Sequence, residues 1–265
     1  MPELPEVETY RTALEPRLVG RTFHRVTILD SRLTRPFDQV EVAAELEGER
    51  VAAVERRGKY LVVRFESGLA LLVHLRMTGG FPTGAASHER AVVELSGGDR
   101  LVYRDVRRFG TWLVLRPDDL DAYLAARLGP EPLGRGFTPA YLGHRLAGRR
   151  APVKALLLDQ RIVAGLGNIY VDEALWRARI HPLRSGGELD EVELRALTRG
   201  VRAAIRRGIE RQGADLGDGA YTVGGMQNEF RVYGQTGEPC PRCRAPIEKT
   251  WVAGRGTHFC PSCQR

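Results

Sequence analysis

"CPRCRAPIEKTWVAGRGTHFCPSC" (240–263) holds all four cysteines of the 265-residue chain. Two C-x2-C pairs, Cys240/Cys243 and Cys260/Cys263, stand sixteen residues apart. Each pair fits a tight knuckle, and four thiolates close a tetrahedral site around one structural Zn2+. In a reducing compartment such clustering favours metal over disulfides. A redox reading would need a thioredoxin-like βαβ context, and no such pattern adjoins the pairs. Between the knuckles, "APIEKTWVAGRGTHF" (245–259) reads as two strands joined by a turn near "AGRG". That turn would hold Arg255 out towards a phosphate or groove, or leave it merely solvated.

Upstream of this tail the pattern is helical from Val153 to Arg211. "VKALLLDQ" (153–160) and "YVDEALWRARI" (170–180) flank "RIVAGLGN" (161–168), and Leu194, Leu197, Val201, Ile205 and Ile209 follow at helical spacing. The glycines of "AGLGNIY" (164–170) lack the third glycine and the preceding strand of a dinucleotide fingerprint. The stretch reads as a helix–turn–helix junction, with Asn168 at or near the N-cap of the next helix. Such a terminus also suits a phosphate. "LGPEPLGRGFTP" (128–139) reads as a linker.

Before the linker, from Thr22 to Leu115, short apolar runs alternate with turns. "YLVVRF" (60–65) and "LALLVHL" (69–75) flank "ESG"; "AVVEL" (91–95) and "RLVYRD" (100–105) flank "SGGD". Two hairpins at this spacing predict a sandwich or a barrel. Glu6 to Leu18 reads as a helix with an acidic start and Gly20 just past its end.

The net charge of +7 suits a polyanionic partner, since each neutralised phosphate releases counterions. Of 40 basic residues only Lys59, Lys154 and Lys249 are lysine. Against so much arginine, a retained lysine marks a place where a compact point charge is wanted. No apolar run is long enough to span a membrane, and the first residues lack the basic-then-apolar pattern of a secretory signal. The expected location is therefore inside the cell.

The chain begins "MPELPEVETY" (1–10). Proline at position 2 favours removal of the initiator methionine, which would give Pro2 a free secondary amine. An α-amino group titrates near neutrality, so much of it is unprotonated and nucleophilic. Attack on an aldehyde-level carbon yields an iminium ion, an electron sink for elimination. Glu3 beside it could act as acid or base. The bland alternative is that Pro2 and Pro5 only shape a helix entry.

"MPELPEVE" (1–8), "RRGKY" (56–60), "HLRMTGG" (74–80), "RRFG" (107–110), "LGPEPL" (128–133), "GLGNIY" (165–170) and "GRGTHFCPSCQ" (254–264) occur together and in order. This set closely resembles the bacterial formamidopyrimidine-DNA glycosylases. The resemblance implies an α+β architecture in three parts. An N-terminal β-sandwich flanked by helices would span 1–130, a helix–two-turn–helix domain 131–234, and a zinc-finger β-hairpin 235–265. It also implies a bifunctional glycosylase/AP lyase that excises 8-oxoguanine and formamidopyrimidines from double-stranded DNA and then cuts at the abasic site. A monomer acting in the bacterial cytoplasm, associated with the nucleoid and with no membrane partner, is the corresponding expectation.

By the same resemblance, Pro2 is the nucleophile, Glu3 the acid assisting ring opening and proton transfer, and Lys59 a phosphate contact that supports catalysis. Asn168 and Arg255 grip phosphates around the flipped nucleotide. His88, Arg107 and Arg149 align with further DNA contacts. Met77, Arg107 and Phe109 match the trio that fills the void left by an extruded base. The sequence departs from the family in "QGADLGDGAYTVGGMQNEF" (212–230), where Pro-Gly-x-Phe is expected and "VGGMQ" stands instead. That departure bears on base specificity. An endonuclease VIII-like enzyme for oxidised pyrimidines is an alternative, but it usually has glycine where this chain has Leu4. A non-catalytic zinc-ribbon module would explain the charge and the cysteines but not the proline-acid start.

Overall fold

The structure, a computed structural model, describes residues 2–84, 86–215 and 224–265. Helix α1 (Leu4–Leu18) starts two residues before the expected Glu6. The reason is local: Glu3 is the N-cap, Pro5 tolerates a first-turn position, and Glu6 reaches back to the Glu3 N–H at 2.9 Å in a capping box. After α1 come β1 (Phe23–Ile28), α2 (Gln39–Leu46), β2 (Val51–Arg57), β3 (Tyr60–Phe65), β4 (Ala70–His74), β5 (Gly79–Gly80), β6 (Glu89–Leu95), β7 (Arg100–Asp105), β8 (Thr111–Leu115) and α3 (Pro117–Ala125). All belong to one compact unit, Met1–Ala126 with Gln212–Gly224.

The strands form two antiparallel four-stranded sheets, ordered β1-β6-β7-β5 and β2-β3-β4-β8. Both expected hairpins are present, as β3–β4 and β6–β7. One core joins the sheets, with Phe23 and Phe65 edge to face at 5.2 Å and Tyr103 against Trp112 at 5.5 Å. The β4 segment reads as a continuous apolar run because all five of its residues are buried, and α3 packs on it. Helix α1 packs against β2 and β3.

The second unit is Arg127–Arg211 with Gly225–Arg265. It contains α4 (Pro139–Leu146), α5 (Val153–Leu158), α6 (Asn168–Ala178), α7 (Glu191–Glu210), β9 (Glu248–Val252) and β10 (Arg255–Phe259). Thr138 caps α4 through the Tyr141 N–H, and an Asp190/Glu193 capping box starts α7. Helix α6 stops where Arg179 turns left-handed at φ +62°. Leu197, Val201 and Ile205 of α7 are fully buried; Leu194 and Ile209 of the expected stripe are only half-buried. Helices α6 and α7 form the main helix pair, and β10 packs on α6.

Candidate active site and metal centre

Pro2 and Glu3 are both buried at the entrance to α1. Glu6, also buried, does more than begin a helix: one carboxylate oxygen accepts the Glu3 N–H, and the other accepts the Ala214 N–H at 2.8 Å. The start of the chain is thereby tied to the Gln212–Gly224 segment of the same unit. The sequence alone presents Glu6 as a dipole-favouring acid, and the Glu3-x-x-Glu6 spacing is the signal for its second role. Met1 and residues 216–223, eight of the nineteen residues of the 212–230 stretch noted above, lie outside the described residues.

A two-residue turn between β2 and β3 carries Lys59. Arg57 pairs with Tyr60, leaving Gly58 and Lys59 between them, with Gly58 at φ +57°. Lys59 is only 6% exposed. Arg56 braces the turn by donating to the Gly58 carbonyl at 3.1 Å, while its Nε bonds Glu8 of α1 at 2.8 Å. The Lys59 turn and the Pro2–Glu3 helix are therefore linked by an ion pair. His74, opposite Tyr60 in the sheet, is held far below its ordinary pKa, at about 3, by burial and then by the charges of Arg76 and Lys59.

Met77 is half-buried, Arg107 is exposed, and Phe109 is 52% exposed with the Arg107 guanidinium 4.9 Å above its ring. An exposed ring on a core-poor loop is unlike the packing that would otherwise explain a phenylalanine. His88 is exposed at φ +62° and contacts Ser87 through Nδ1.

In the second unit Asn168 stands beside the N-cap, as expected, but its side chain does not cap the helix. It is the first residue of α6, and Gly167 is the N-cap, without a side-chain cap. The Asn168 amide instead donates to the Gly256 carbonyl at 2.9 Å, while its own Oδ1 is buried and has no hydrogen-bond partner among the described residues. The turn before it is held by Gln160, which accepts from the Gly165 N–H and donates to the Leu158 and Leu166 carbonyls. Arg255 opens β10, just past a two-residue turn of Ala253 and Gly254 at φ +49° and +71°, and it is exposed. Asn168 and Arg255 are thus brought together through Gly256. Arg149 is exposed, in the loop after α4.

The scarcity of lysine marks Lys154 in the sequence without indicating its role. It is fully buried, and its Nζ donates to Asp172 at 2.6 Å and to the Gly256 carbonyl at 3.2 Å. The second Asp172 oxygen accepts the His258 N–H at 2.9 Å. This buried pair joins α5, α6 and β10.

The four cysteine sulfurs lie within 4.8 Å of one another, Cys243 to Cys260 at 3.4 Å and Cys240 to Cys263 at 4.0 Å. A tetrahedral zinc with four thiolates needs sulfurs about 3.8 Å apart, so the donor set fits. Burial pushes the Cys240 thiol up, but the Trp176 indole N–H at 3.4 Å and two backbone N–H groups outweigh it and bring it down to about 6. Among the described residues this is the one cluster that could hold a metal ion.

Three sequence models match the chain in order. They describe the formamidopyrimidine-DNA glycosylase N-terminal domain at residues 1–112, its H2TH domain at 128–218, and the zinc finger found in FPG and IleRS at 237–265. A formamidopyrimidine-DNA glycosylase of Symbiobacterium thermophilum is 47% identical, over 100% of this chain and 89% of the relative. The Lactococcus lactis Fpg in complex with abasic-site DNA superimposes with a TM-score of 0.93 at 38% identity, covering 99% of each chain. A MutM protein bound to DNA containing carbocyclic 8-oxo-G gives 0.93 at 39% identity, covering 100% of each.

Proposed function

The chain belongs to the formamidopyrimidine-DNA glycosylase family, and we propose that it removes oxidised purines from duplex DNA through an N-terminal proline imine. The observation that carries this reading is the linked placement of Pro2, Glu3 and Lys59. Acid, amine and cation arise from two elements braced by the Glu8–Arg56 pair.

With Met1 removed, the Pro2 nitrogen attacks C1′ of the damaged nucleotide. The C1′–N bond of the base breaks, and Glu3 supplies the proton that opens the sugar ring. The resulting iminium ion acidifies the C2′ hydrogen; its loss expels the 3′ phosphate, and a second elimination expels the 5′ phosphate. Lys59 neutralises a phosphate beside the reacting sugar. Asn168 and Arg255 hold phosphates around the extruded nucleotide, with Arg107, Arg149 and His88 along the strand. Met77, Arg107 and Phe109 fill the vacated stack. One zinc ion pins the hairpin that carries Arg255.

Relatives are bacterial DNA-repair enzymes, and among the described residues no helix is long and apolar enough to cross a membrane. The protein works as a monomer on the DNA of the cytoplasmic nucleoid; light scattering at working concentration checks the monomer.

Borohydride trapping tests the chemistry. A covalent adduct should form on duplexes containing 8-oxoguanine, and Pro2→Gly should abolish it. Protein that retains Met1 should likewise give no adduct, and an adduct that persists in both would assign the nucleophile to another amine. A panel of 8-oxoguanine, formamidopyrimidine and oxidised-pyrimidine duplexes should show excision of the purine lesions; excision confined to pyrimidines would favour the endonuclease VIII-like reading.

A further inference from the structure

We propose that Asp105, acting with Thr78, is a positioning residue that sets the Met77 loop and the Arg107–Phe109 loop as a single rigid wedge. The inference rests on the assignment of Met77, Arg107 and Phe109 as void-filling side chains.

Asp105 is the last residue of β7 and is completely buried. Its Oδ1 accepts the Thr78 hydroxyl at 2.5 Å and the Arg107 N–H at 3.2 Å; its Oδ2 accepts the Gly110 N–H at 2.7 Å. The Thr78 hydroxyl in turn accepts the Arg107 N–H at 2.9 Å. One carboxylate therefore closes the Arg107–Gly110 loop at both ends and fastens it to the residue after Met77. Backbone pairing repeats the link, since Gly79 pairs with Asp105 across β5 and β7.

The other side of Met77 is also fixed. The Arg76 N–H donates to His74 Nδ1 at 3.0 Å, with Arg76 at φ +53°. Arg108, between the two proposed wedge residues, is held by Asp30 through contacts of 2.5 and 2.9 Å. The two loops approach so closely that the Tyr103 hydroxyl lies against both Gly79 and Gly110, and a Cβ at either position would collide with it. The Arg107 N–H bond to Oδ1 is that of an ordinary Asx turn, but the bonds to Thr78 and to Gly110 go beyond what such a turn needs. Together they fix side chains that must keep their places while a base step is forced apart, where a shift of about 1 Å can cost roughly a hundredfold in rate.

The chemistry of the latch is specific. Three donors converge on the carboxylate, which accepts at both oxygens; asparagine would set its NH2 against at least one of them. Threonine supplies a hydroxyl that donates to Asp105 and accepts from Arg107 at once. Serine keeps both functions, and valine keeps the shape and loses both.

The test compares wild type with Asp105→Asn, Thr78→Val and Thr78→Ser. Two rates are measured: single-turnover excision of 8-oxoguanine from a duplex, and borohydride trapping on a single-stranded abasic oligonucleotide, which has no stack to open. A 2-aminopurine beside the lesion reports unstacking. In Asp105→Asn and Thr78→Val the ratio of excision to trapping should fall at least about tenfold and the 2-aminopurine signal should drop, with Thr78→Ser near wild type. Thr78→Val, which keeps the side-chain volume, decides the matter if Asp105→Asn fails to fold. An unchanged ratio and signal in Thr78→Val would overturn the latch while leaving the glycosylase reading intact. A wild-type protein that excises none of the purine lesions would instead sink that reading, and the latch with it.

Discussion

Two side chains in the first unit are silent in composition and decisive in place. Glu3 is nearly excluded from water, beside the residue assigned as nucleophile. Glu3→Gln keeps the size and removes the proton. Excision of 8-oxoguanine should fall by about 10² or more while lesion-duplex binding stays within a few-fold of wild type. Gel-shift affinity measured beside single-turnover excision checks this, and wild-type excision by the variant would remove Glu3 from the mechanism. His74 makes a second prediction. Its Nδ1 accepts the Arg76 N–H, so the proton of the neutral ring sits on Nε2. Its folded pKa, about 3, lies below the unfolded value near 6.5. Above that unfolded value both states are neutral and the group adds nothing to pH dependence. As pH falls through it, the unfolded chain takes up a proton that the folded one refuses, and stability drops. The loss from this group should reach roughly 2 kcal/mol at about pH 5. Its ring-carbon NMR shift should stay flat between about pH 7.5 and pH 4.5; a midpoint near 6.5 would show that the ring is accessible and the Met77 turn loose.

At the scale of elements, the zinc hairpin shows what a sequence discloses and what it withholds. The C-x2-C spacing and the "AGRG" turn were legible because both follow from local geometry: four thiolates on knuckles, and a two-residue turn with two positive φ angles. The use of Asn168 was not legible. Its type and position suggest a cap, but its amide is taken by the Gly256 carbonyl, a partner 88 residues away. Propensity describes neighbours in sequence, and this bond exists only once β10 lies on α6. Lys154 illustrates the same limit from the other side. Scarcity of lysine marked it, yet only the packed structure shows it paired with Asp172 beneath the hairpin. Lys154→Met leaves Asp172 buried without its cation, so stability should fall by roughly 3–5 kcal/mol in a denaturant titration. A change under about 1 kcal/mol would mean that the His258 N–H alone satisfies Asp172. Removing zinc with a chelator should weaken DNA binding and speed amide exchange across β9 and β10, because the hairpin register that presents Arg255 depends on both knuckles. Unchanged affinity in the metal-free protein would take the hairpin out of the binding surface.

For the whole molecule, the broad order of strands, linker, helices and cysteines was readable from periodicity and punctuation. Periodicity alone left sandwich and barrel open, since both use the same hairpins; the family resemblance implied the sandwich, and the two four-stranded sheets agree with it. Charge behaves differently again, because it is a property of the entire chain that needs no fold to be counted. The net +7 is carried mostly by arginine, but only a few of those residues are assigned to phosphates; many others are engaged with carboxylates, such as Arg56 with Glu8, Arg184 with Glu193 and Arg207 with Glu229. Paired arginines release few counterions on binding, so the salt dependence should follow the assigned contacts and not the net charge. With Lys59, Arg107, Arg149 and Arg255 each neutralising one phosphate, the slope of log K against log salt for an abasic-analogue duplex should be about −3.6. Arg255→Ala should make it shallower by about 0.9, uniformly across lesions. Phe109→Ala should lower affinity and leave the slope unchanged, because a ring in the stack displaces no ions. Fluorescence anisotropy over a tenfold range of salt, about 50 to 500 mM, separates the two kinds of contact. A wild-type slope near −7 would instead mean that the protein binds as a diffuse polycation, and the individual phosphate assignments would fail with it.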